Sequence, residues 1–289
     1  MTLGRGTNIV DLYSWSHGSF NHGYEALEGT EGFGLPPVLN RYFEGAGDGA
    51  IYRGSRVLPR VLLVPLVAHE SNRAGLDLLL SRLAVILAPD RSTPSTLRYT
   101  GPDTHVWYLE VVREDGGDYI RKTLESDRKT YFKTHLGLKA GDPYWTREDA
   151  ESFTLQQDAS GRGLLPYLAK LEVSSGKVFG TLTPENTGDA PAWPMWTIGG
   201  PITSLTLTGP KGEVLSWSGS ITVGQKLIID TKRGTIVDQA GVNRYNELGP
   251  APQFWSIPAD EAPISISTGG TTGTTYITAE WKPRKWSMI

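Results

Sequence analysis

The sequence predicts a mainly β protein of two domains with a single α-helix, and three observations carry that expectation. Its 34 Gly and 19 Pro are spread over all 289 residues, and both types are costly inside helices but useful in turns. Between them lie short runs rich in Val, Ile and Thr, residues that fit a pleated surface. Only the run Leu76 to Leu87 repeats its leucines at helical spacing.

The opening, through about Gly49, is Gly-rich and reads as irregular. Its stretch SHGSFNHGYEALEGTEGFGLPP holds two strand-length runs at most, the pattern of a long loop that becomes ordered against a partner. EGAGDG then reads as a flexible turn, because it lacks the following Lys-Ser or Lys-Thr of a phosphate loop. RVLLVPLVA has the β-branched density of a buried strand, with Pro65 better suited to an edge or bulge than to a sheet centre.

In the helix, Leu76, Leu79, Leu80, Leu83 and Leu87 fall on one stripe. Ser71 or Asn72 can cap its start, and Pro89 stops it by pushing the preceding residue out of the α region. Leu78, Val85 and Ile86 widen the apolar surface, so a second side is expected to be covered by a sheet or by another copy of the chain. This makes the five stripe leucines a candidate oligomerisation helix.

TLRYT and HVWYLEVVRE follow as strands joined by GPD, with further strands expected near Tyr119 to Leu124 and over Tyr131 to Leu138. KAGDPYWTREDAESF closes the first half with a Gly-Asp-Pro turn and aromatic ends. Residues 156–178 are less patterned and suit a connection, so the expected domains are 1–155 and 179–289.

The second half alternates strands and turns at sandwich spacing. SLTLT, the turn GPKG and EVLSWSG form one hairpin; KLIID, TKRG and TIVDQ form another. PISIS and TYITAEW are further strands, the latter placing Ile277, Ala279 and Trp281 on one face. Trp217, Trp255 and Trp281 sit where a sandwich core needs filling, although clustered tryptophans can also form a sugar-stacking face.

Composition narrows the function. Charged residues are 20% and apolar residues 38%, with a formal charge of -3, so sequence-specific or avid non-specific nucleic-acid binding is not indicated. No apolar run reaches the roughly 20 residues of a membrane span, and the start MTLGRGTNIV lacks the pattern of a secretory leader. Zero cysteines exclude disulfides, thiolate metal sites and cysteine nucleophiles. His17 and His22 flank a Gly-rich loop without a carboxylate at ligand spacing, so no metal site is expected. No Gly-x-Ser-x-Gly elbow is present, and Glu25, Glu28, Glu31 and Asp230 are carboxylates that pair only by conjecture. No catalytic residue and no cofactor is expected.

The run TPENTGDAPAWPMWTIGGP, with Asn186, Gly188, Ala190, Pro191, Pro194, Trp196, Gly200 and Pro201, resembles the opening of the C-terminal sandwich of distal tail proteins of long-tailed phages, the siphovirus tail component family. LIIDTKRG, with Asp230 and Gly234, is similar to the strand and turn that follow in that family. QFWSIP, with Phe254, Trp255 and Pro258, resembles its next aromatic strand, and GTTYITAEWKPRKW its closing strand. GDPYW, with Asp142, Pro143, Tyr144 and Trp145, is similar to the turn that ends the family's ring domain. PADEAP departs from the family where a Gly-Asn turn is common, as does the long 156–178 connection.

The resemblance implies an N-terminal ring-forming β-sandwich with a flanking helix and a C-terminal jelly-roll sandwich resembling galectins and carbohydrate-binding modules. It further implies a structural virion protein: a homo-hexameric hub at the distal end of the tail, assembled in the host cytoplasm. The implied partners are the tail tube protein, a tail-tip or tail-associated lysin-type hub protein and the tape measure protein. A host surface glycan is the partner under the alternative reading, a carbohydrate-binding or receptor-recognition module. A domain of about 150 residues is roughly 38 Å wide. Six in a ring therefore leave a hole as wide as one domain, whereas three leave a gap of about 6 Å, too narrow for DNA. The N-terminal half alone is expected to carry the ring contacts.

Overall fold

The computed structural model of the protein describes residues 1–12, 22–90, 92–118, 130–156 and 178–288. The chain forms two compact units, Met1–Glu148 with Lys285–Ile289, and Asp149–Arg284. These differ from the expected domains in two places: residues 149–155 belong with the second unit, and the last five residues return to the first. The strand expected near Tyr119 to Leu124, the loop histidine His17 and the bulk of the 156–178 connection lie outside the described residues.

The first unit contains β1 (Thr2–Arg5), β2 (Asn8–Asp11), β3 (Gly23–Ala26), β4 (Val38–Glu44), β5 (Ala50–Val57), β6 (Arg60–His69), α1 (Arg73–Leu87), β7 (Ser95–Thr100), β8 (Val106–Gly116), β9 (Tyr131–Ala140) and β10 (Trp145–Arg147). Its main sheet runs β2-β1-β7-β8-β9-β6-β3, with β10 added beside β8. The opening is therefore more regular than its glycines imply, because β1 and β2 pair with each other and β1 pairs with β7. Leu3, Leu62, Leu66, Leu97, Leu109 and Leu136 fill the inner face, beneath α1.

Pro65 lies in a strand with neighbours on both sides, since β6 pairs with β9 along its length and with β3 at one end. The neighbouring chain accommodates the missing donor. Leu27 donates to the Pro65 carbonyl, yet the next bridge is Glu31 with Leu63, so two extra residues bulge out where Pro65 cannot reciprocate.

The Asn72 side chain caps α1 by accepting from the Gly75 N–H at 2.8 Å, and the helix ends at Ala88, immediately before Pro89. Leu76, Leu83, Ile86 and Leu87 are buried, while Leu79 and Leu80 pack half-buried at the margin of the same core. Ile86 therefore belongs to the inner face, and the second apolar side reduces to Leu78 and Val85, 72% and 56% exposed.

The second unit is a two-sheet sandwich of β11 (Glu151–Gln156), β12 (Val178–Leu182), β13 (Met195–Gly199), β14 (Ile202–Thr208), β15 (Val214–Ile221), β16 (Lys226–Asp230), β17 (Thr235–Asp238), β18 (Ile264–Gly269) and β19 (Tyr276–Trp281). One sheet runs β11-β19-β13-β16-β17 and the other β12-β18-β14-β15. Both predicted hairpins are present, as β14 with β15 and β16 with β17. Alternation along β19 buries Ile277, Ala279 and Trp281, as its period of two requires. QFWSIP is not a strand: it is an extended segment with a single isolated bridge, Ile257 with Ala192, and a Gln253 N–H that donates to the Val214 carbonyl.

Candidate assembly surface

The residues that carry the resemblance lie in the frame of the two units, several of them buried. Trp196, Trp217, Trp255 and Trp281 are all buried in the sandwich core, where Trp196 meets Trp255 edge to face at 5.7 Å. Trp217 donates to Glu247 and Trp281 to Glu151, each at 2.9 Å, so these indoles satisfy their polar edge inside the unit. The Asn186 amide donates to the carbonyls of Ala190, Ile257 and Pro258, pinning the entry segment to the QFWSIP segment. The Pro191 carbonyl accepts from Arg284, and that of Pro194 from the Thr231 hydroxyl at 2.6 Å. Asp230 accepts from the Arg233 N–H, and Gly234 takes a φ of 63°, which completes the TKRG turn.

GDPYW has the same character. Its Asp142 side chain accepts from the Tyr144 N–H, Trp145 is wholly buried against Phe33, and Tyr144 stacks edge-on against Trp286 at 4.8 Å. The Pro143 carbonyl accepts from the Arg60 guanidinium at 2.7 Å. Arg60 also reaches the carbonyls of Gly32, Gly34 and Trp286, and burial lowers its pKa to about 10. Gly32 is required there, since at a φ of 94° a Cβ would stand 2.4 Å from the Val61 carbonyl.

Other titratable groups also act in the frame. The Tyr24 hydroxyl donates to the Leu79 carbonyl, fastening β3 to α1, and burial raises its pKa to about 12. His22 pairs with Glu70, whose carboxyl is held low first by the Ser71 N–H and then by His22. Among the described residues no three His, Asp or Glu side chains converge on a point that could hold a metal ion. No helix among them is long and apolar enough to cross a membrane.

The surface that stands apart is a ribbon. Among the described residues β4 and β5 pair only with each other, around the EGAGDG turn, and form a two-stranded sheet of their own. Val38, Leu39, Tyr42, Phe43, Ile51 and Tyr52 on it are each 40% to 60% exposed. The register sorts them onto two faces. Val38, Val57, Tyr42 and Tyr52 share one, where the two tyrosine rings meet edge to face at 5.7 Å. Leu39, Arg41, Phe43, Ile51 and Arg56 share the other, with the Arg53 guanidinium over the Phe43 ring at 5.5 Å. A second apolar patch lies on the outer face of the main sheet, where Val61, Leu63 and Val112 are 36% to 51% exposed.

Sequence reasoning missed both patches. VLNRYFE carries large apolar residues at odd and even positions alike, so it lacks the one-sided alternation that marks a strand on a core. The available signal was two such runs of strand length flanking a glycine turn.

No protein-family model matches the chain. No curated protein matches it either. Among solved structures the chain is similar to the SPP1 Dit protein, described as a paradigm of the hub adsorption apparatus in phages infecting Gram-positive hosts. That likeness has a TM-score of 0.63 at 12% identity and covers 98% of each chain. It is also similar to a chain of the phage P2 baseplate in its activated conformation with Ca, with a TM-score of 0.52 at 9% identity, covering 96% of this chain and 97% of the other. The chain therefore has the mainly β fold seen in these two phage proteins.

Proposed function

We propose that this chain is a structural component of a phage tail, a hub at its distal end. The observation that carries the reading is the likeness to the SPP1 hub protein over 98% of both chains, which takes in both units and not one common sandwich alone. The exposed ribbon supports it independently. A two-stranded ribbon is marginal in water by itself, and apolar patches of this kind on a folded protein mark contact surfaces.

In this reading six copies form a ring through the first unit, with an open centre through which DNA leaves the virion. The ring joins the tail tube protein to a tail-tip hub protein, and the tape measure protein ends against it. The protein's role is mechanical and not catalytic. Binding of a host glycan through stacked tryptophans finds no support, because every described tryptophan is buried or half-buried. The signature residues Asp142, Pro143, Tyr144, Trp145, Pro191, Pro194, Trp196, Asp230, Gly234 and Trp255 maintain the two frames.

Electron microscopy of the purified protein and of antibody-labelled virions tests this. Rings with an open centre, and label at the distal tail tip, are expected. Label on the capsid, or its absence from intact virions, overturns the proposal.

A further inference from the structure

The foot of the exposed ribbon is built stiff. Pro36 and Pro37 lead into β4 and Pro59 leads out of β5; each proline fixes its φ at about −65° and presses the residue before it toward extended backbone. Pro36 is buried, and the Leu58 N–H donates to the Pro37 carbonyl, which closes the two legs on each other. Whatever holds the residues just outside these prolines therefore sets the direction in which the ribbon stands.

Those residues are held from a distant part of the sequence. On the outgoing leg Arg60, 1% exposed, donates through one guanidinium nitrogen to the carbonyls of Gly32 and Gly34 on the incoming leg, each at 2.5 Å. Through another nitrogen it reaches the carbonyl of Trp286. Between the two glycines, the Phe33 carbonyl accepts from the Met288 N–H. The segment that supplies Trp286 and Met288 is itself anchored, since Lys285 meets both Asp103 and the Trp107 ring, and the Trp286 ring stands edge-on to Tyr144. Residues 285–288 thus cross the foot of the ribbon as a strap, and they follow the whole second unit in the chain. Without them a buried guanidinium is short of one acceptor and the Phe33 carbonyl has lost its donor, so water must replace both where the legs meet.

We propose that residues 285–288 are a locking strap for the ribbon, which is set for assembly only after the chain has run through the second unit and come back. The inference rests on the reading of the ribbon as a contact surface. Before the strap arrives, Arg60 joins the legs to each other and to the Pro143 carbonyl, but the foot is open on the strap's side. A ribbon that swings on this foot must give up its freedom to dock, which weakens any contact made through Tyr42, Phe43 or Ile51. Completion of the fold therefore precedes assembly, an order imposed by the chain itself.

Trypsin reads the strap directly, because Arg41, Arg53 and Arg56 are exposed on the ribbon, and Arg233, exposed in the second unit, serves as an internal clock. Met288→Pro removes the N–H that the Phe33 carbonyl accepts, whereas Met288→Ala shortens the side chain and keeps that N–H. A chain stopped after Arg284 lacks the strap altogether. Relative to Arg233, the ribbon sites are expected to be cut about fivefold faster in Met288→Pro than in Met288→Ala, and about tenfold faster or more in the stopped chain than in the parent. Ring yield by microscopy is expected to fall in the same order. Equal ribbon cutting in Met288→Pro and Met288→Ala overturns the strap, and this pair decides alone if the stopped chain fails to fold. Faster ribbon cutting with undiminished rings overturns the locking of assembly and leaves the strap's grip on the ribbon standing. Absence of rings from the parent chain, in solution and on tails, overturns the ring reading and the assembly step with it, while the trypsin comparison still decides the strap.

Discussion

The Arg60 guanidinium donates to the carbonyl of Trp286 at 2.6 Å, joining residues 226 positions apart. The contact lies within one unit, because the last five residues rejoin the first unit after the chain has built the second. Three further contacts hold that return: Met288 donates to the Phe33 carbonyl, Lys285 pairs with Asp103 at 2.8 Å, and Lys285 lies over the Trp107 ring at 4.3 Å. A fragment ending near residue 155 lacks all of them. The expectation that the N-terminal half is self-sufficient therefore meets a specific obstacle.

Arg60→Met keeps the apolar stem but leaves the carbonyls of Gly32, Gly34, Pro143 and Trp286 without their donor. Unpaired buried acceptors cost about 1–3 kcal/mol each, and removal of the buried cation offsets part of that. The expected result is a loss of about 2–4 kcal/mol in urea unfolding of the full chain, together with faster proteolysis at the C-terminal segment. An unchanged midpoint would show that the carbonyls find water instead.

Asp103 gives the same attachment a pH dependence. Burial pushes its carboxyl up, but hydrogen bonds from Lys285, the His105 N–H and Trp107 together hold it below the ordinary 3.8. A carboxyl with a lower pKa when folded leaves the unfolded chain binding more protons in the window between the two values, so stability rises with pH there. The contribution is fully present above the unfolded value and is lost as pH falls through the folded one. Asp103→Asn is expected to flatten the acid limb of the stability curve below about pH 4 and to lower stability at pH 7 by about 1 kcal/mol. Equal acid slopes for the two proteins would contradict this.

Trp196 separates core from sugar platform. It is wholly buried between Phe153 and Trp255, so Trp196→Ala should destabilise by about 3–5 kcal/mol through lost packing and a cavity. Full stability with loss of glycan binding on an array is the opposite result, and it would move the second unit toward a lectin.

Much of this frame was legible because local patterns and tertiary burial agree. Leu76, Leu83 and Leu87 lie on a helical stripe and are buried, and Ile277, Ala279 and Trp281 alternate and are buried. What stayed hidden depends on non-local geometry. Nothing in KWSMI signals that it returns to Arg60, and QFWSIP has strand-like residues but forms no ladder, only an isolated bridge to Ala192 and scattered bonds such as Gln253 to Val214. The ribbon was hidden for a different reason. Its residues Tyr42 and Phe43 face opposite sides of a sheet with no core, so no periodicity assigns either to an interior.

Two leucines on α1 test whether the helix also serves assembly. Leu83 is buried in the core of its own unit, whereas Leu78 is exposed on the opposite side with Val85 one heptad away. Leu83→Asp places a carboxylate in that core without a partner, so a loss of more than about 4 kcal/mol and failure to accumulate as folded protein are expected. Leu78→Asp touches no core, and its circular dichroism and unfolding midpoint should match the parent within about 0.5 kcal/mol. If the Leu78 and Val85 side is covered in a ring, that well-folded variant will form fewer rings, and Leu78→Met will restore them. Equal ring yield from Leu78→Asp would leave the ribbon to make the contact without help from this side of the helix.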